Sequence, residues 1–154
     1  MLRIVLLALV IAVGVALWLV WRRDWQRRSI AAALAEFARN RPRLQDDFRA
    51  AANVTGKPRG LVWKACDFQD GIVLAHDRAT GELVGLVGVT IAFEAVLGGE
   101  MEDVEAVGNL RAATAVLTWT GRDWSAAGRT VFNLEPREVL ERYRKSLEPI
   151  AAKP

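Results

Sequence analysis

The sequence predicts an α+β protein. An N-terminal transmembrane helix is followed by a helix or helix pair packed on a curved five-stranded antiparallel sheet, and by a short C-terminal helix. Three observations predict this. Ile4 to Trp21 is an unbroken apolar run without a charged residue, stopped by Arg22-Arg23. From Ile30 to Ala51 apolar residues recur at helical spacing. From Leu61 to Phe132 they run or alternate between glycine-bearing turns, as strands do.

The first run has 18 residues. As a helix it rises ~27 Å, close to the ~30 Å hydrocarbon core of a bilayer. Trp18, Trp21 and Trp25 cluster at its end, where indole rings favour the headgroup layer. Only Arg3 precedes the run, whereas Arg22, Arg23, Arg27 and Arg28 follow it, relieved by Asp24. Positive charge stays inside. The expectation is a single-pass protein of the cell membrane with its domain in the cytoplasm. The lipid bilayer is its partner, met through Trp18, Trp21, Arg22, Arg23, Trp25, Arg27 and Arg28. An extracytoplasmic domain stays open as the alternative. A signal peptide cut near Gly14-Val15-Ala16 competes, but the run continues past it to Trp21. A lone Cys66 allows no intramolecular disulfide and fits a reducing compartment.

Charge follows the same division. Five of the 21 Lys and Arg residues, but one of the 18 Asp and Glu residues, lie within the first 28 positions. The basicity belongs to the flank of the run, so no nucleic-acid partner is expected. Residues 1–25 are read as the anchor with its basic flank, 26–148 as one α+β domain and 149–154 as a frayed tail.

Residues 26 to 53 read as helix, with Ile30, Leu34, Phe37, Leu44, Phe48 and Ala51 as its apolar stripe. Pro42 interrupts it. Either the helix kinks there, or a second helix opens with Pro42 at its first position and Asn40 or Arg41 as cap. The stretch from Thr55 to Gly60 ends the pattern. Leu61 to Phe68 is a strand, Gln69-Asp70-Gly71 a tight turn and Ile72 to His76 the return strand. A second hairpin loop, Asp77 to Gly81, leads to the long strand Leu83 to Val96. Leu83, Gly85, Val87, Val89, Ile91 and Phe93 lie on one of its faces. Val84, Leu86, Gly88, Thr90 and Ala92 lie on the other, which makes it central and covered on both sides. After a loop from Leu97 to Gly108 come the strands Asn109 to Thr120 and Trp124 to Phe132. Pro136 starts a last helix with Val139, Leu140, Tyr143 and Leu147 on its apolar side, ended by Pro149.

This order is similar to the cystatin-like and NTF2-like α+β folds, an analogy of architecture that carries no activity with it. The strings Gly99-Glu100-Met101-Glu102-Asp103-Val104-Glu105, Asn109-Leu110-Arg111-Ala112-Ala113-Thr114-Ala115 and Gly128-Arg129-Thr130-Val131-Phe132-Asn133-Leu134 resemble those of uncharacterised, membrane-anchored proteins of planctomycete-type bacteria. The resemblance covers most of the chain after the anchor. It implies a bacterial source and no assigned activity.

Candidate site residues are sparse. Glu100, Glu102, Asp103 and Glu105 form an acidic patch, suited to a hard cation or a basic partner but equally to a solvated loop. Arg111 and Arg129 are possible partners for it. Trp63, Glu94 and Trp119 are the candidate ligand pocket, provided that Glu94 turns inward between sheet and helix. His76 has Asp67, Asp77 or Glu94 as possible partners for base chemistry, but its place at a strand end favours solvent. Cys66 reads as a small buried side chain. The sequence has no phosphate loop, paired cysteines or internal repeat, so no catalytic residue, metal or cofactor is assigned. The expected function is a membrane-anchored, non-enzymatic interaction or assembly module whose partner is another protein or itself. The alternative is an NTF2-like small-molecule-binding or hydrolytic domain.

Overall fold

A computed structural model describes residues 2–55, 60–102 and 104–150, with the backbone alone for residues 2–8, 10, 105 and 106. One helix, α1 (Leu2–Thr55), occupies the first third of the chain with Pro42 inside it. Of the two readings, a helix pair or one helix with Pro42 inside it, the chain takes the single helix, and that helix is continuous with the first apolar run. Ala38 and Pro42 are both exposed, so the bond that proline removes is lost on the solvent side. Phe37 and Leu44, on either side of it, are both held in the core.

The expected transmembrane anchor is corrected. Among the described residues no helix is long and apolar enough to cross a membrane. The side chains of residues 4–8 and 10, part of the apolar run, lie outside the described residues. The single-pass membrane location that rested on the span falls with it.

The strands are β1 (Leu61–Phe68), β2 (Val73–Asp77), β3 (Leu83–Ala95), β4 (Arg111–Trp119), β5 (Trp124–Ser125), β6 (Thr130–Phe132) and β7 (Leu147–Pro149); α2 is Pro136–Arg142. They form one antiparallel sheet of order β5-β4-β3-β2-β7, with β1 also on β3 and β6 also on β4. Seven strands replace the expected five for two reasons. The expected strand Trp124 to Phe132 is broken by a loop in which Gly128 adopts φ 73° against the end of α1. The expected last helix stops at Arg142, and a turn closed by Ser146 N–H donating to the Tyr143 carbonyl delivers Leu147 to a strand instead. That strand pairs Leu147 with Asp77 and Pro149 with Ala75. Of the expected tail, Ile150 N–H donates to the Leu74 carbonyl, and residues 151–154 lie outside the described residues.

The two faces of β3 fall as the alternation predicts. Leu83, Val87, Val89, Ile91 and Phe93 join Ala33, Phe37, Leu44, Phe48 and Ala52 of α1 in the main core. Of the expected stripe, Phe37, Leu44 and Phe48 are buried, whereas Leu34 is 42% exposed and Ala51 half-buried, their places being taken by Ala33 and Ala52. Gly85 has no room for a side chain: a Cβ there would lie 2.5 Å from Ile72 and 2.8 Å from Trp124. Val84 and Leu86, on the outer face, pack with Ala75, Val116, Val139 and Leu147 as a smaller second cluster.

The free edge of β1 is closed by side chains of α1. Trp63 N–H donates to Asn53 Oδ1 at 3.1 Å and Phe68 N–H to Gln45 Oε1 at 2.9 Å. Arg41 donates to the Phe68 carbonyl and pairs with Asp70 at 2.5 Å.

Candidate ligand cleft on the outer sheet face

The pocket expected between helix and sheet is filled. Trp63 and Trp119 are buried in the main core, Trp63 edge-on to Phe48 and Phe93 with ring centroids 5.9 and 5.3 Å apart. Glu94 belongs to the opposite face of β3. Its side chain is 62% exposed and lies 3.8 Å from Lys64. The three residues are not brought together, because a carboxylate in register with Val62 on that face has water available and no reason to turn inward.

The acidic residues do not converge on a common point among the described residues, where no group of three potential ligands could hold a metal ion. Glu102 caps its own turn, accepting the Gly98 N–H at 2.7 Å, and Glu100 is exposed. Asp103 and the side chain of Glu105 lie outside the described residues. Among the described residues no ion pair joins this loop to Arg111 or Arg129. Beneath the loop is a cavity of about 300 Å³ lined by Phe93, Met101, Val104, Val107 and Phe132, with Arg111 and Asn133.

His76 is half-buried in β2, in register with Leu83 and Glu148, while adjacent Asp77 points to the other face. Cys66 is buried against the helix. Burial pushes its thiol up to about 12, Asp67 and Asp46 add to the rise, and Arg49 opposes it. A thiol held in its neutral form is a poor nucleophile. Of the residues expected at a membrane face, Trp18, Trp21 and Trp25 are exposed. Trp21 stacks on Trp25 at 6.5 Å, Arg22 lies 5.4 Å over the Trp18 ring, and Arg28 pairs with Asp24 at 3.8 Å. Arg23 and Arg27 are exposed on the same stretch.

The open site lies on the other side of the sheet. Helix α2 starts at a capping box, in which Glu135 N–H donates to Glu138 Oε2 at 2.8 Å, with Pro136 at the first position. Buried Thr114 donates its hydroxyl to the Leu134 carbonyl at 2.7 Å and so pins the approach to the helix. Val139 inserts into the outer cluster and is 1% exposed. Seven residues make a helix of only ~10 Å, too short to cover four strands. Beside it remains a cleft of about 780 Å³, within the ~300–1,000 Å³ range of small-molecule sites.

Val84, Leu86 and Val116 form its floor, and Val131, Val139 and Leu147 its apolar walls. Its polar lining among the described residues is Thr55, Asp77, Arg129, Thr130, Tyr143 and Ser146. Asp77 Oδ1 accepts the Ala79 and Thr80 N–H groups at 2.8 and 3.3 Å. Thr130 donates to the Gly128 carbonyl at 3.1 Å. The Arg129 carbonyl accepts the Val116 N–H at 2.9 Å, which fixes its backbone beside β4. Its guanidinium has no ion-pair partner among the described residues.

Sequence reasoning missed this cleft. The signal was present in the apolar second face of β3, but that face was read as covered. The chain matches no family model, no curated protein and no solved structure, so the chemistry of the cleft rests on its own residues.

Proposed function

We propose that the protein is a binding module that takes an apolar small molecule in the cleft between α2 and the outer sheet face. The observation that carries this reading is the contrast in filling. The helix side of the sheet is packed with aromatic rings, whereas the outer side keeps about 780 Å³ above an aliphatic floor. Binding is favoured over catalysis because, among the described residues, no histidine or cysteine lines the cleft and its one carboxylate already accepts two backbone amides. The test is titration of the full chain with Nile red, a neutral dye that brightens in apolar surroundings. The expected result is saturable binding that Val131→Trp abolishes at unchanged melting temperature, since Val131 is half-buried on the cleft wall. Binding that survives in this variant places the dye elsewhere and overturns the reading.

The exposed apolar side chains from Leu9 to Trp25 favour a second reading, assembly through this segment with another protein or a second copy. Sedimentation velocity across a concentration series tests self-assembly. A monomer at all concentrations removes the second copy as the partner.

A further inference from the structure

The cleft is polar in the electrical sense, and its polarity selects a ligand. It crosses the outer face from β6 through β4 and β3 to β2, three inter-strand steps or ~14 Å. Arg129, the residue before β6, lines the cleft with Val131 at one end of this path. Alternation along β2 puts Asp77 on the side of Val73 and Ala75, at the other end. Near the Asp77 end Arg78 is engaged by Glu148 at 3.1 Å, and Arg144 and Lys145 lie exposed in the turn between Tyr143 and Ser146. One end therefore offers a guanidinium with no ion-pair partner among the described residues, and the middle offers Val116, Leu86 and Val84.

We infer that the cleft selects a medium-chain amphiphile with a single carboxylate head. The head sits at Arg129, and the alkyl body lies over Val116, Leu86 and Val84. A guanidinium presents parallel N–H donors that match the two oxygens of a carboxylate, and one cation balances one negative charge. The ~14 Å path is matched by an extended medium-chain alkyl group. This inference rests on the reading of the cleft as an apolar-ligand site.

The test is displacement of bound Nile red from the full chain by decanoate and, separately, by decanol at neutral pH. Decanol is the more apolar of the two, so a site that only collects grease prefers it. The expected result is that decanoate displaces the dye at about tenfold lower concentration than decanol, the size of one charge-assisted contact. Arg129→Gln is expected to remove this preference while leaving decanol unchanged, and Arg129→Lys to keep most of it. Added salt weakens decanoate alone. Decanol binding as well as or better than decanoate to the unmodified chain overturns the carboxylate inference and leaves the cleft reading standing. Equal loss of both ligands in Arg129→Gln overturns the placement of the head. Failure of both ligands, with dye binding that persists in Val131→Trp, overturns the cleft reading itself.

Discussion

The two faces of the sheet meet helices of unequal reach. On the inner face α1 supplies Ala33, Phe37, Leu44, Phe48 and Ala52 over a length that exceeds the width of the sheet. Phe48, Trp63, Phe68 and Phe93 pack there as tilted or edge-on rings 5.3–5.9 Å apart, an arrangement that suits their quadrupoles. The indole N–H groups of Trp119 and Trp124 are satisfied by Ser29 Oγ at 3.2 Å and the Ala33 carbonyl at 2.8 Å. On the outer face α2 supplies one fully buried residue, Val139, and the side chains below it are aliphatic. A sheet that is apolar on both faces needs two covers. Where the second cover is short, the surplus apolar surface becomes a cleft, with no change in the strands themselves.

This contrast can be broken by substitution. Phe48→Ala empties the centre of the inner core and is expected to cost about 3–5 kcal/mol in urea unfolding. Val139→Ala, the corresponding truncation outside, is expected to cost about 1.5 kcal/mol at ~0.8 kcal/mol per buried methyl-sized group. Equal losses would make α2 as integral to the fold as α1 and would end the comparison. Gly128→Ala tests the seam between the faces. A Cβ there would lie 2.7–2.9 Å from the backbone of Ala51 and Ala52, at a positive φ. A loss of about 1–3 kcal/mol is expected.

Cys66 sharpens the inner side of the contrast through pH. Its folded pKa, raised to about 12 by burial, lies above the ordinary thiol value of 9.0. Between these values the unfolded chain has released the thiol proton and the folded one has kept it. The native state therefore has its full thiol contribution below pH ~9 and loses it as pH rises toward ~12, by at most ~1.4 kcal/mol per pH unit. Melting curves of the protein and of Cys66→Ala should diverge in slope only above pH ~9. The smallest effect is expected at the surface. Glu94→Ala removes an exposed pair with Lys64 and should change stability by less than about 0.5 kcal/mol. A larger loss would mean that Glu94 does more than face water.

How much was legible in the sequence depended on how local the cause was. The two faces of Leu83 to Ala95 could be read directly, since alternation is a property of the strand itself. The outward position of Glu94 follows from the same parity. Strands of two or three residues, such as Trp124–Ser125, Thr130–Phe132 and Leu147–Pro149, carry no period to read and exist through their partners. Pro149, taken as a helix stop, is equally at home on an edge strand, where its missing N–H is not needed. The role of Arg129 depends on the side it takes just before β6 and on where α2 ends, and neither is a local property. Hydropathy of the first run was read as a span, and among the described residues that span is not found.

The capped edge of β1 has a consequence for the life of the chain before it is folded. Asn53, Gln45 and Arg41 close that edge, and all three come from α1. Until the helix docks, Leu61 to Phe68 presents an open row of donors and acceptors next to Trp63 and Phe68, a template for another molecule's strand. Docking withdraws the template and buries the aromatic rings in the same step. The helix thus guards against aggregation as well as supplying core, and the period of danger lasts as long as the docking takes.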